Sequence, residues 1–386
     1  MIARRTAIVG LGATPYWRRG QSAPRSMIEL VGQAVLAACD DAGLPVAEID
    51  GLSYYSGGFD SSLLMETLGI PELRFSAMLT GSGGGSAGAV GLAAAAVVSG
   101  LARTVVVVGG NQQGETRFGS ITKSYDATPE NAFFEAAGLI GPGHMFALLA
   151  QRQMHDYGYT REMFAEVALS ARDNAMDHPL ALMKKPLTLD DYIAASPLAD
   201  PLCLYDFCLE SDGAIAVVVT SAERARDLAR KPVIVQGCTH GGERSWGRSL
   251  YWMNMPERAF LSSGHQSVAR DLYAQAGVAP SDIDVAQIYD HFTPMVIAQL
   301  EDYGFCKPGE GGEFVASGAI RRNGSLPVNT DGGQLSCAYV WGMTHIREAV
   351  EQMRGTAFHQ IAGAELALVT GGPSNVPMSG LILAGA

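Results

Sequence analysis

Residues 81–110 read GSGGGSAGAVGLAAAAVVSGLARTVVVVGG. A glycine-rich turn leads into an alanine-rich stretch with the length of a helix, which leads in turn into four consecutive valines. A β-branched run of this kind is typical of a central strand that is buried on both faces of a sheet. The turn lacks the lysine of a phosphate-binding loop and the acidic residue that contacts a dinucleotide ribose. The pattern therefore favours a tight turn into a buried helix, where backbone N–H groups can hold an anion or an oxyanion.

The same alternation of short apolar runs and amphipathic stretches continues on both sides of this segment. It predicts an α/β protein with parallel strands that are buried on both faces. The second series of elements repeats the first, which indicates an internal duplication with halves 1–230 and 231–386 and a site where they meet. Residues 111–201 are predicted to be a partly helical, functional insertion. The predicted strands cover residues 6–10, 52–56, 104–109, 213–220, 233–237, 285–289, 366–370 and 380–383, and the predicted helices cover 26–42, 86–99, 263–276, 294–303 and 344–354.

The composition excludes several classes of function. With a formal net charge of −12, the chain has no basic face for nucleic acid or for an anionic membrane. No apolar run approaches the roughly 20 residues of a membrane span, and residues 6–10 fit a first strand better than the core of a signal peptide. The six cysteines lack the short paired spacings of a zinc site or a disulfide framework. We therefore expect a soluble, cytoplasmic protein with reduced thiols and no metal.

Five segments of the chain stand out: the glycine-rich turn with its helix up to Gly100, the strand 105–110, DGAIA at 212–216, YDHF at 289–292, and Gly332 and Gly333 to Gly342. In this order they resemble the thiolase superfamily, most closely its sterol-carrier-protein branch. In thiolases the corresponding pieces are the nucleophile turn with its helix, a strand, the DGAAA strand entry, the HDCF or NEAF turn, and the GG…GHPxG segment. The resemblance spans essentially the whole chain and implies an α/β, thiolase-like duplicated βαβαβαββ layered fold (α-β-α-β-α).

The catalytic positions of a thiolase are nevertheless changed. The nucleophilic cysteine of the family falls at about Gly83, and no cysteine lies between Cys39 and Cys203. Because glycine has no thiolate, it cannot form the covalent thioester through which a thiolase transfers an acyl group. Tyr289 and Tyr339 stand where the family has the histidines of HDCF and GHP.

Two tyrosines at these positions suit a different reaction. The histidine positions bind the thioester oxygen as negative charge develops on it, so the fold provides an enolate site. A tyrosine hydroxyl can donate the same hydrogen bond and can also exchange a proton. Such a site, without a nucleophile, can break a carbon–carbon bond by retro-aldol cleavage. We assign Tyr339 as the base that removes the β-hydroxyl proton and Tyr289 as the donor that stabilises and then protonates the enolate, with exchanged roles as the alternative.

Tyrosines at both positions resemble the thiolase-like aldolases of steroid side-chain degradation, which are often named lipid-transfer proteins. That resemblance implies a carbon–carbon lyase that cleaves a β-hydroxyacyl-CoA thioester, with a steroid side chain as its acyl group, to a ketone plus a short acyl-CoA such as propionyl-CoA. It implies no cofactor other than the CoA of the substrate. It also implies a homodimer, for which residues 105–108 are a candidate edge strand, and a small partner protein with an OB-fold and a zinc ribbon.

Further residues are candidates for supporting roles. His291 is a candidate to orient a hydroxyl or contact the acyl-CoA, and His345, just after Gly342, to lie at a helix N-terminus near the thioester. The open alternative is a structural role for His291 and a surface position at the start of the helix for His345. Asp290 is expected to cap the helix that begins near Pro294 rather than take part in the chemistry. The candidate contacts to substrate and CoA are the glycines Gly83, Gly84, Gly371 and Gly372, the last two of which follow Thr370, where the family has its second cysteine.

Two other classes of function stay open on the sequence. One is a true thiolase or acyltransferase with a displaced cysteine, such as Cys337, which in an extended segment would share a face with Tyr339. The other is a non-catalytic acyl-CoA or sterol carrier in which the tyrosines only fill the seam between the halves. The aldolase requires the hydroxyls of Tyr289 and Tyr339 within about 10 Å of each other, in one pocket with residues 83–85, since acid and base must reach one substrate.

Overall fold

The computed structural model describes residues 2–55, 59–79, 84–114, 135–228, 230–244, 257–372 and 377–386. The strands are β1 (Thr6–Ala13), β2 (Trp17–Arg18), β3 (Gly51–Tyr55), β4 (Phe75–Leu79), β5 (Thr104–Asn111), β6 (Pro197–Ala199), β7 (Leu202–Cys203), β8 (Ser211–Ser221), β9 (Val233–Gly241), β10 (Val285–Gln287), β11 (Leu366–Gly371) and β12 (Met378–Gly385). The α-helices are α1 (Met27–Ala42), α2 (Ser61–Leu68), α3 (Gly85–Val98), α4 (Pro142–Tyr157), α5 (Arg161–Ala175), α6 (Leu189–Ala194), α7 (Ala222–Ala225), α8 (Gln266–Ala276), α9 (Thr293–Asp302), α10 (Gly311–Ala316) and α11 (Met343–Arg354). A π-helical turn spans Gly333–Cys337.

The described strands form a ten-stranded sheet in the order β10-β11-β12-β9-β1-β8-β5-β3-β4, with β2 paired to β8 outside this path. In the first half, β1 and β5 both pair antiparallel with β8, and β5 pairs parallel with β3. In the second half, β9 and β11 both pair antiparallel with β12, and β11 pairs parallel with β10. The halves join where β1 lies antiparallel to β9. An internal duplication produces this repeated pairing, while the boundary at residue 230 stays a prediction.

Two expectations about the sheet were wrong. The strands are not all parallel, because β8 and β12 return antiparallel between their neighbours. Apolar runs that helices cover on both faces look alike in either orientation, so hydrophobic periodicity could not distinguish the two. The candidate edge strand 105–108 lies in β5, which has β3 on one side and β8 on the other. The edge of the first half is instead β4, a short strand that the sequence analysis missed.

Helix α3 lies between the two halves, since it contacts β3 and β5 of the first and β9 and β12 of the second. Its small residues allow this close approach. A Cβ atom at Gly88 would lie 2.8 Å from the His240 ring, and one at Gly91 would lie 3.1 Å from the Cys238 sulfur. Helix α1 packs on β1 and β8 of the first half, and α8 packs on β9 and β12 of the second. The helices and strands therefore form the layered arrangement that the resemblance implies.

The insertion predicted at 111–201 contains α4, α5, α6 and β6, and the partner strand β7 follows directly after it. Phe146 of α4 and Phe164 of α5 belong to the same hydrophobic core as Phe292 and Met295 of the second half. Helix α5 also contacts the π-helical turn. The insertion is thus packed against the segments that carry Tyr289 and Tyr339.

Candidate active site

The two candidate tyrosines meet at the seam between the halves. Tyr289 lies two residues beyond β10, and Tyr339 lies two residues beyond the π-helical turn. Both side chains are buried, and their hydroxyl oxygens lie 3.3 Å apart. This separation is well inside the limit of about 10 Å that a shared substrate sets. The hydroxyls therefore share one site, whereas their catalytic roles stay a prediction.

The backbone of Tyr289 is fixed by two side chains of the second half. Its N–H donates to Thr370 Oγ1 at 2.8 Å, and its carbonyl accepts from Gln299 Nε2 at 2.8 Å. Thr370 Oγ1 in turn donates to Gln299 Oε1 at 2.6 Å. The position where the family has its second cysteine is thus occupied by a hydroxyl that orients Tyr289.

The backbone of Tyr339 is fixed by side chains of the first half. Its N–H donates to Ser211 Oγ at 2.8 Å, and the same hydroxyl donates to the Tyr339 carbonyl at 2.9 Å. Asn111 Nδ2 donates to that carbonyl at 3.2 Å and to the Ser211 carbonyl at 2.7 Å. Sequence reasoning missed both residues, because each stands more than a hundred positions from its partner and has no motif of its own.

The environment of Tyr289 favours its neutral form. Burial raises the pKa of Tyr289 well above its ordinary value, and the side chains of Tyr339 and Gln334 oppose part of that shift. A phenol with a raised pKa stays protonated at neutral pH and can donate a hydrogen bond or a proton. This chemistry suits the donor role assigned to Tyr289.

Asp290 differs from its expected role, whereas His345 lies at a helix N-terminus, as expected. The carboxylate of Asp290 accepts from the backbone N–H groups of Gln334 at 2.9 Å and Leu335 at 3.2 Å, so it caps the π-helical turn and not α9. His345 lies in the first turn of α11, where it is fully buried rather than exposed. Its Nε2 lies 3.1 Å from Asp290 Oδ1. The pair therefore supports the turn that carries Tyr339, and contact with a thioester stays a prediction for His345.

His291 lies among aromatic rings beside Tyr289. Its ring centroid is 4.6 Å from that of Phe146, 4.9 Å from that of Phe292 and 5.3 Å from that of Tyr289. Burial lowers the pKa of His291 to about 3, so the imidazole is neutral at physiological pH. Its Nδ1 is buried and has no hydrogen-bond partner among the described residues. His291 therefore remains a candidate for contact with a substrate oxygen.

The glycine candidates divide into two groups. Gly83 falls outside the described residues, but Gly84 immediately precedes α3. A Cβ atom at Gly84 would lie 2.0 Å from the Pro377 carbonyl oxygen, and the Gly84 carbonyl accepts from Ser379 Oγ at 2.6 Å. Ser86, in the first turn of α3, lies beside Gly342, which in turn lies beside the ring of Tyr289.

The second pair of glycines ends β11, next to Thr370. The Gly371 carbonyl lies 3.2 Å from His265 Nε2, and Gly372 adopts a φ of +68° that favours glycine. Contacts of these glycines with substrate or CoA stay a prediction.

The displaced-cysteine alternative loses support. Cys337 ends the π-helical turn, so the extended segment that would align it with Tyr339 is absent at that residue. Its side chain is fully buried. Burial raises the pKa of Cys337 well above its ordinary value, with Asp331 adding to the shift, and burial does the same for Cys208. Neither thiol has the thiolate character of a nucleophile.

The described part of the chain also bears on metal ions and membranes. No group of three or more His, Cys, Asp or Glu side chains there could hold a metal ion. In the same residues, no helix is both long enough and apolar enough to cross a membrane.

Known proteins with similar sequences identify the family of this chain. The model of the family described as Thiolase C-terminal domain-like matches residues 242–379. A protein of Mycobacterium tuberculosis named 17-hydroxy-3-oxo-4-pregnene-20-carboxyl-CoA lyase is 39% identical over 99% of this chain and 100% of its own length. A protein of Thermomonospora curvata named steroid side-chain-cleaving aldolase is 40% identical over 98% of this chain and 97% of its own.

Solved structures with a similar fold are consistent with these sequence similarities. The structure titled Ltp2-ChsH2(DUF35) aldolase superposes with a TM-score of 0.90 and 38% identity, over 100% of this chain and 98% of that one. An acetyl-CoA acetyltransferase of Syntrophomonas wolfei shares the fold alone, with a TM-score of 0.70 and 16% identity over 99% of both chains. The chain belongs to the thiolase superfamily, in the group that contains the steroid side-chain-cleaving aldolases.

Proposed function

We propose that this chain is a carbon–carbon lyase that cleaves a β-hydroxyacyl-CoA thioester by the retro-aldol reaction. The observation that carries the proposal is the pair of buried tyrosine hydroxyls, 3.3 Å apart, at the two family positions that bind the thioester oxygen. A thiolase needs a thiolate at the glycine-rich turn, whereas the chain has glycine there. Enolate stabilisation and proton transfer are the functions that the remaining groups can perform.

The proposed reaction starts when Tyr339 accepts the proton of the β-hydroxyl. The carbonyl bond of the ketone forms, the bond between the α- and β-carbons breaks, and its electron pair moves into the thioester enolate. Tyr289 donates a hydrogen bond to that enolate and then a proton to the α-carbon. Because the two hydroxyls are within hydrogen-bond range, the proton moves as a relay: Tyr339 gives its own phenolic proton to Tyr289 as it accepts that of the β-hydroxyl, and Tyr289 gives its proton to the α-carbon as it accepts that of Tyr339. Both tyrosines then end neutral, no electrons are gained or lost overall, and no cofactor is consumed.

The proposed substrate is the compound in the relative's name, 17-hydroxy-3-oxo-4-pregnene-20-carboxyl-CoA. Its hydroxyl is on carbon 17 and its thioester is attached to carbon 20, so it is a β-hydroxyacyl-CoA. Cleavage between these carbons yields a ketone at carbon 17 of the ring and, with the methyl group of carbon 20, propionyl-CoA. The aromatic rings of Phe146, Phe292 and His291 beside Tyr289 offer an apolar wall for such a substrate.

Assembly is part of the proposal. The similar solved structure has a title that names a DUF35 partner, and we propose a small OB-fold and zinc-ribbon protein as the partner of this chain. We also propose a homodimer formed through the edge strand β4. The six cysteines are free in the structure, as suits reduced thiols in the cytoplasm, where we expect the protein to act.

The test is incubation of the full-length chain, with and without the partner, with 17-hydroxy-3-oxo-4-pregnene-20-carboxyl-CoA. Chromatography with mass spectrometry is expected to detect the ring ketone and propionyl-CoA in equal amounts. A covalent acyl-enzyme in the protein mass spectrum would favour a thiolase instead. Tight binding without any product, in the presence of the partner, would favour a carrier.

A further inference from the structure

Gln334 is a buried amide in the π-helical turn, beside the two tyrosines, and it is fully shielded from solvent. Three of its four polar groups are paired. Its backbone N–H donates to Asp290 Oδ1 at 2.9 Å, and its carbonyl accepts from the Leu209 N–H at 2.9 Å. Its side-chain Oε1 accepts from the Gly342 N–H at 2.9 Å. Both ends of the residue are therefore held in place.

The orientation of the Gln334 amide follows from these contacts. A backbone N–H can bond only to an acceptor, so the side-chain atom that faces Gly342 must be the oxygen. The other atom, Nε2, is buried and has no hydrogen-bond partner among the described residues. A buried donor without a partner costs about 1–3 kcal/mol, and native proteins rarely retain one without a reason. Nε2 is therefore a candidate donor to a ligand, provided that a ligand site lies beside it.

The same amide lies next to Tyr289. A Cβ atom at Gly342 would be 2.9 Å from the Tyr289 ring, so the glycine that fixes Oε1 is at the edge of that ring. The Gln334 side chain also opposes the effect of burial on the pKa of Tyr289, as a donor near the phenol oxygen does. An amide nitrogen has two hydrogens. One can point to the tyrosine hydroxyl while the other remains available to a substrate oxygen.

We propose that Gln334 is the second oxyanion donor of the site and that its Nε2 hydrogen-bonds the thioester oxygen as that oxygen becomes an enolate. The inference rests on the proposed function and adds a catalytic residue to it. When the bond between the α- and β-carbons breaks, its electron pair ends on the thioester oxygen, between Tyr289 and Gln334. Neither donor has to lose its proton to stabilise this charge. Donors that are fixed before the reaction cost no reorganisation when the charge forms.

Two substitutions separate this role from a structural one. Gln334→Leu removes the donor together with the acceptor that holds Gly342. Gln334→Glu keeps an oxygen acceptor for Gly342 but, when ionised, has no donor for the enolate. The matched control is Gln236→Leu, because Gln236 is a buried amide on β9 that donates to the Ala276 carbonyl, outside the proposed site. All variants are assayed as the full-length chain with its partner protein.

Cleavage of 17-hydroxy-3-oxo-4-pregnene-20-carboxyl-CoA and exchange of the α-hydrogens of propionyl-CoA in D₂O are both measured, since exchange requires the enolate alone. The Leu variant is expected to lose a factor of about 10² to 10³ in kcat and in exchange rate, with little change in KM. The Glu variant should be equally slow at high pH. Its rate should rise as pH falls, because a protonated carboxyl regains an O–H donor. The control should retain wild-type kinetics.

Three other outcomes would contradict the inference alone or the inference together with the proposed function. If the Leu variant is slow while the Glu variant matches the wild type at high pH, Gln334 only holds Gly342 and the inference is wrong. If wild-type protein cleaves the substrate and both variants keep its kcat, the inference fails while the proposed function stands. If wild-type protein neither cleaves nor exchanges, the proposed function fails and the inference fails with it.

Discussion

Tyr289 and Tyr339 owe their positions to residues that perform no chemistry. Ser211 and Asn111 hold the backbone of Tyr339, and Thr370 holds that of Tyr289. A backbone that is bonded on both its N–H and its carbonyl leaves the side chain few alternative directions. Catalytic groups must be placed to within a fraction of an ångström. Hydrogen bonds from neighbouring side chains to the backbone of the catalytic residue provide this precision. The 3.3 Å between the hydroxyls therefore follows from contacts within the protein itself.

Replacement of either tyrosine by phenylalanine tests the catalytic pair. Tyr339→Phe and Tyr289→Phe each delete one hydroxyl and keep the ring, so both proteins should fold and bind acyl-CoA. Loss of a proton-transfer or oxyanion contact is expected to slow cleavage by about 10² to 10⁴. A hydroxyl that only fills the seam would instead contribute about 1 kcal/mol to the free energy of unfolding. Steady-state kinetics and thermal denaturation distinguish the two.

Cys337→Ala is the control for this series, and it should keep its activity because the buried thiol is not a thiolate. An inactive alanine variant beside two active phenylalanine variants would support a displaced-nucleophile thiolase. Full activity in all three would assign the chemistry to other groups, such as His291 or His345.

The buried imidazole of His265 gives a prediction about pH. Burial lowers the pKa of His265 to about 4, whereas an unfolded histidine titrates near 6.5. Between these values the unfolded chain binds the extra proton, so this residue makes the free energy of unfolding decrease as pH falls from about 6.5 to about 4. In His265→Gln the slope over this range should be smaller by about 1.4 kcal/mol per pH unit. Chemical denaturation at several pH values measures it, and equal slopes would contradict the prediction.

At the scale of elements, the sequence predicted the main strands and the helices of the two repeated series because their apolar periodicity is local. Helix α1 begins directly after Ser26, whose side chain caps it together with Glu29, and β5 contains the four valines at 105–108. The short β4 was missed because its residues alternate in exposure and include no β-branched run. The cap provided by Asp290 was assigned to the wrong helix, since the backbone it bonds lies more than 40 residues away. Contacts between residues so far apart in the sequence do not change the local pattern of apolar and polar residues.

The packing of β1 on α1 gives a test of element-level fit. A Cβ atom at Gly12 would lie 2.2 Å from the Ala34 carbonyl oxygen of α1, which is backbone and cannot move aside. Gly12→Ala is therefore expected to lower the free energy of unfolding by at least about 1–3 kcal/mol. The control is Gly32→Ala within α1, where the nearest atom is 3.8 Å away. That change should stabilise the helix by about 0.5–1 kcal/mol, and equal denaturation midpoints for the two variants would refute the argument.

At the scale of the molecule, the site exists only when three parts of the chain are assembled. The second half provides Tyr289 and Tyr339, the first half provides Ser211 and Asn111, and the insertion provides Phe146. The resemblance stated from the sequence placed the two tyrosines at one site. It could not reveal the residues that hold them, because these come from segments that are brought together only by the packing of the halves. Gln334 was missed for the same reason, since its free donor is visible only once its other contacts are known.

The two edges of the sheet differ in how far they are covered. One end of the sheet is protected, since Val328 bridges to Ala286 of β10. At the other end, β3 is the one partner of β4 among the described strands, and Met78 on β4 is 55% exposed. An unpaired edge with an apolar side chain invites a second strand, and a second copy across a two-fold axis is the commonest solution in soluble proteins.

Wild-type protein is therefore expected to be a dimer in light scattering at micromolar concentration, and Met78→Glu should shift it toward the monomer by placing like charges at the joint. Leu36→Glu is the matched control, because Leu36 is 45% exposed on α1 and is remote from that edge in the sheet order. A wild-type monomer would contradict the dimer itself. A dimer that persists in Met78→Glu but dissociates in Leu36→Glu would move the interface from β4 to the outer helical layer.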